Sequence, residues 1–120
     1  MATSKIRSVG GKTHWTWKQG STATMNLTIK DGAGVAVDIT GRTFTLLVAK
    51  TFGGTAVLTL TSPSGGITIV DAAAGQIQIK VSDENTAAQT WNRGVFDLDM
   101  DNSGEVETIV SGVVFVEKQI

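Results

Sequence analysis

Apolar and polar residues alternate one for one along three stretches, Met25-Asn26-Leu27-Thr28-Ile29-Lys30, Ile77-Gln78-Ile79-Lys80-Val81 and Phe96-Asp97-Leu98-Asp99-Met100-Asp101. A period of two sends successive side chains to opposite faces, so each stretch predicts a strand buried on one side and wet on the other. Thr43-Phe44-Thr45-Leu46-Leu47-Val48-Ala49 is more continuously apolar, and its β-branched and aromatic content favours a strand over a helix. Further strands are predicted over residues 13–18, 56–61, 67–70 and 105–117. Clusters such as Asp31-Gly32-Ala33-Gly34, Asp38 to Gly41, Phe52-Gly53-Gly54 and Asn92-Arg93-Gly94 read as the turns between them. Asn102-Ser103-Gly104 between two alternating runs is the strongest hairpin signal. The pattern predicts an all-β antiparallel β-sandwich of about seven to nine strands.

One segment breaks the rhythm. Ser82 or Asp83 is able to cap, Glu84 follows early, and Ala87-Ala88 form helix well, which predicts a short helical turn near Asp83-Gln89. Residues 1–12 are polar, carry Lys5, Arg7 and Lys12, and contain Gly10-Gly11. They are expected to be a flexible N-terminal arm, either a frayed terminus or a docking strand that orders on a neighbouring subunit. Residues 13–120 form a single domain, because a chain of 120 residues does not divide its core.

Composition narrows the function. A net charge of −1 gives no general attraction to phosphate backbones or anionic lipid, so neither nucleic acid nor membrane is an expected partner. The absence of cysteine removes disulfides, thiolate nucleophiles and thiolate metal sites, and fits synthesis in a reducing cytoplasm. No apolar run approaches a membrane span, and the first residues lack a signal-peptide core.

Candidate chemistry is sparse. Asp97, Asp99 and Asp101 alternate on the outward face of a strand, and Asp99-Met100-Asp101-Asn102-Ser103-Gly104 matches the opening of a calcium loop. The match fails at loop position twelve, where an EF-hand needs a bidentate glutamate and this chain has Val110. A solvated strand followed by an ordinary hairpin turn accounts for the same residues. His14 is the only histidine, which leaves zinc or triad chemistry without partners and makes it a surface or interface residue. The glycine pairs fit no phosphate-binding pattern. No catalytic or cofactor site is expected, and the protein is read as a non-enzyme. Trp15 and Trp17 share a face of one strand and fill the core, or else form an aromatic platform for a partner or a sugar. Trp91, beside Asn92-Arg93-Gly94, is the candidate for a loop-borne contact.

Six segments follow one another in a characteristic order: Trp17-Lys18-Gln19-Gly20, Asp38-Ile39-Thr40-Gly41-Arg42, Gly65-Gly66-Ile67-Thr68, Gly75-Gln76-Ile77-Gln78-Ile79, Trp91-Asn92-Arg93-Gly94-Val95-Phe96-Asp97-Leu98 and Gly112-Val113-Val114-Phe115-Val116. In order and spacing the chain resembles the small immunoglobulin-like virion proteins of tailed bacteriophages, similar to the N-terminal domain of siphophage baseplate upper proteins. The resemblance implies an immunoglobulin-like sandwich with a structural or adaptor role in the virion, most naturally at the tail or baseplate, without catalysis or cofactor. A capsid decoration or neck protein is the alternative within that class, and a carbohydrate-binding module the alternative outside it. Expected partners are other virion proteins and copies of this chain, with a host-surface glycan for the carbohydrate reading. Lys5, Arg7, Trp15, Trp91 and Arg93 are the contact candidates.

Overall fold

A computed structural model describes residues 7–9, as backbone, and 14–118. Two sheets pack face to face. The back sheet is built from β1 (Arg7–Val9), β3 (Ala23–Lys30), β6 (Ile67–Asp71) and β7 (Gln76–Val81), in the order β1-β3-β7-β6. The front sheet holds β2 (His14–Lys18), β4 (Thr43–Ala49), β5 (Ala56–Thr61), β8 (Arg93–Asn102) and β9 (Glu105–Glu117), in the order β2-β9-β8-β4-β5. All ladders are antiparallel except β2 on β9, which is parallel and pairs His14 with Val113 and Lys18 with Glu117. An N-terminal strand split between the two sheets, with consecutive strands crossing from one to the other, is the immunoglobulin-type arrangement.

The alternation read from the sequence decides which side of each strand is buried. Met25, Leu27 and Ile29 of β3 and Ile77, Ile79 and Val81 of β7 meet Phe44, Leu46 and Val48 of β4 and Phe96, Leu98 and Met100 of β8 in one core. Trp15 and Trp17, at 2% and 0% exposure, close one end of it. Neither the cysteine pair nor the tyrosine corner of many immunoglobulin domains is available to a chain with no cysteine and no tyrosine. Apolar burial therefore holds the two sheets together here, and ladder bonds act only within each sheet.

The predicted helix is α1 (Asp83–Ala87), capped by the Ser82 side chain accepting from the Asn85 amide, with Asp83 and Glu84 in its first turn. The β8–β9 hairpin turns through Ser103 and Gly104, both at positive φ (54° and 94°). That pair of conformations makes the tight primed turn whose twist matches the strands.

Two expectations need correction. Within the arm expected over 1–12, residues Arg7–Val9 pair antiparallel with Lys30, Ile29 and Thr28 of β3, so this part extends the back sheet of its own chain. The remainder of that arm lies outside the described residues. Asn92-Arg93-Gly94 is not a turn: Arg93 and Gly94 already belong to β8, opposite Phe115 and Val114. Gly94 is there for close packing, since a Cβ would stand 2.7 Å from the Ala49 carbonyl oxygen and 2.9 Å from the Trp91 ring.

Candidate contact face

The outer face of the front sheet is the surface that the fold leaves exposed and chemically varied. Along β8, the sheet's middle strand, Arg93, Val95, Asp97, Asp99 and Asp101 point outward while Gly94, Phe96, Leu98 and Met100 point in. Beside them on the outer face lie Leu47 and Ala49 of β4, opposite Asp97 and Val95, and Ser111 and Val113 of β9, opposite the same two residues. Phe115 faces outward opposite Arg93, and the His14 ring stacks against it at 6.2 Å and 7°. Phe52, in the β4–β5 turn, is 67% exposed and borders a shallow hollow of about 390 Å³ with Lys50, Arg93 and Val95. Leu47, Phe52, Val57 and Phe115, each 37% exposed or more, are thus carried by this sheet and its turn. An apolar strip bordered by charge is the usual composition of a protein contact surface.

Charge is sorted along the strand direction. Lys18, Lys50 and Arg93 stand at the end where β8 begins, with Glu117 opposite Lys18. Asp97, Asp99 and Asp101 occupy the other half, continued across the hairpin by Glu105 and Glu107. The three aspartates are held separately. Asp97 accepts from the Ser111 hydroxyl, Asp99 from the Thr108 hydroxyl at 2.8 Å, and Asp101 from the Gly104 amide at 2.8 Å. Each carboxylate is bound across the ladder or into the turn rather than turned toward a shared point. Among the described residues, no group of three or more His, Cys, Asp or Glu is arranged around a metal position.

The other candidates separate. Trp15 sits inside, edge-on to Trp17 at 5.4 Å and to Phe96 at 5.9 Å, and as a core side chain it is withdrawn from the contact surface. Trp91 is half-buried against the same cluster, 6.0 Å from Trp17, with its Nε1 donating to Gln89 Oε1 at 2.8 Å. The clamp withdraws part of the ring from the surface that a loop-borne contact would use. Its burial follows from Gly94, whose missing side chain leaves room for it. Arg93 is exposed on the outer face. Arg7 is placed by backbone pairing with Lys30, and Lys5 lies outside the described residues.

Leu47, Phe52, Val57, Val95 and Phe115 were not singled out by sequence reasoning. Their signal was parity, because Leu47 and Phe115 sit at outward positions of otherwise regular strands.

No family model matches the chain, and no curated protein matches it. Solved structures do. A chain from work on T cell specificity and activation by the superantigen toxic shock syndrome toxin-1 is similar at 11% identity and a TM-score of 0.56, covering 94% of this chain and 98% of that one. A chimeric titin Z1Z2 carrying a KLER peptide from decorin is similar at 16% identity and a TM-score of 0.52, covering 99% of this chain and 100% of that one. Titin domain M7 aligns over 100% of this chain and 99% of that one at 16% identity, with a TM-score of 0.47. At such identities the likeness speaks for fold alone. The chain folds as an all-β, immunoglobulin-like sandwich.

Proposed function

We propose that this protein is a bacteriophage virion structural or adaptor protein, associated with the tail or baseplate, that acts through protein–protein contacts. The phage half of the reading rests on the ordered segments between Trp17 and Val116. Its contact half rests on one observation, the exposed apolar strip of Leu47, Phe52, Val57 and Phe115 on the front sheet and its β4–β5 turn. A sandwich holds such a strip rigid, so little conformational entropy is lost when a partner covers it. Repetition of a modest contact by particle symmetry then multiplies its strength.

Locating the protein in purified particles of the phage that encodes it, by cryo-EM or labelling, is the test. Density at the tail or baseplate is the expected result, density on the capsid or neck transfers the protein to the decoration class, and absence from particles overturns the reading.

A further inference from the structure

We infer that the outer face of the front sheet binds a second copy of this chain across a two-fold axis at Val95. This rests on reading that face as a contact surface, and it names the occupant. Arg93, Val95 and Asp97 are successive outward residues of β8, the middle strand of its sheet. Arg93 and Asp97 therefore stand about 7 Å to either side of Val95, two residues each way along an extended strand. A two-fold axis through Val95, lying in the interface and perpendicular to the strands, places Arg93 of each copy opposite Asp97 of the other. The strip is thus complementary to itself in charge, which is what an isologous interface requires.

The flanking residues obey the same operation. Leu47 and Val113 lie on either side of β8 at the levels of Asp97 and Val95, and supply apolar area around the axis. Lys50, one residue beyond the Ala49 that lies opposite Val95, is carried by the same rotation to the Asp97 side of the axis. An axis parallel to the strands would oppose Arg93 to Arg93 and Asp97 to Asp97, so charge selects the antiparallel arrangement. Five strands spaced about 4.8 Å, each contributing about six residues, give a projected face on the order of 500 Å² per copy. That lies at the low end for specific association, which makes the dimer a reversible, concentration-dependent one.

Analytical ultracentrifugation of the intact chain from micromolar to millimolar concentration tests this. A monomer–dimer equilibrium is expected, weakened at least about tenfold by Arg93→Asp or by Asp97→Arg. Mixing the two variants must restore association, because every opposed pair in the mixed dimer is again oppositely charged. A second measurement does not depend on those substitutions. The chain has no cysteine, so Val95→Cys should cross-link to itself through a short thiol-reactive bis-maleimide able to span the roughly 10 Å between facing sheets, while Thr68→Cys on the back sheet should not. A chain monomeric at millimolar concentration, a mixture that stays monomeric, or Val95→Cys that does not cross-link overturns the proposal. If such a monomer still enters virions, the dimer fails and the virion reading survives. If the chain dimerises as described but is missing from virions, the dimer stands and the virion reading fails.

Discussion

The two ends of the front sheet are built on different terms. Where β8 begins, Trp15, Trp17 and Trp91 converge with Phe96, and polar groups tie the loops over them: Gln19 donates to the Gln89 carbonyl at 2.7 Å, Thr86 to the Ser21 carbonyl at 2.8 Å and Lys118 to the Thr90 carbonyl at 2.7 Å. Where β8 ends, the hairpin carries exposed Glu105, Val106 and Glu107, and side chains meet in local pairs such as Thr108 with Asp99. One end is stabilised by burying large rings among residues distant in sequence. At the other, neighbours on a ladder hold each other in water. Stability should therefore concentrate at the tryptophan end, while the acidic end tolerates change.

Substitutions test that contrast from its strongest side. Trp17→Ala, at 0% exposure, removes the ring that touches both other indoles and should cost about 3–5 kcal/mol in urea denaturation. Gly94→Ala forces a methyl against the Ala49 carbonyl and the Trp91 ring, with an expected loss of about 1–3 kcal/mol and a shift in tryptophan fluorescence. At the acidic end, Thr108→Ala gives up one exposed hydrogen bond, and its melting curve should imply a loss below about 0.5 kcal/mol. A loss as large as that of Gly94→Ala would erase the distinction.

The smallest expected effect is a titration. Asp38 lies near the same end, since the Arg42 guanidinium reaches the Met100 sulfur. The Thr40 hydroxyl and then its amide donate to the Asp38 carboxylate and hold its pKa below the ordinary value, with Arg42 assisting. A carboxyl whose folded pKa is lowered stabilises the fold above its unfolded pKa of about 3.9, and that contribution is lost as pH falls through the folded value. NMR titration should show Thr40→Ala raising the Asp38 pKa, and an unchanged value would remove the Thr40 hydroxyl as the cause.

Most strand positions were legible because alternation is a local property. β3, β4, β5, β7 and β9 fall where the pattern put them, as do the hairpin at Ser103-Gly104 and the helical turn after Ser82. Asn92-Arg93-Gly94 misled because asparagine and glycine in one short polar cluster are a turn signal, whereas this glycine answers to a ring three residues earlier in the chain. The packing of Trp91 was not legible either, its neighbours in sequence being polar and its neighbours in space aromatic. The arm was misread at Arg7–Val9 because a short strand with one apolar residue shows no period, and only the open edge of β3 recruits it.

What this chain determines by itself is which side of each strand is apolar, since burial free energy follows side-chain type and a strand has only two faces. Tertiary structure decided which strands are neighbours, that β2 runs parallel to β9, and that the indoles share one pocket. It also set Arg93, Val95 and Asp97 on the middle strand of an open face. Those outcomes depend on how distant segments fill common space, and no local period encodes that.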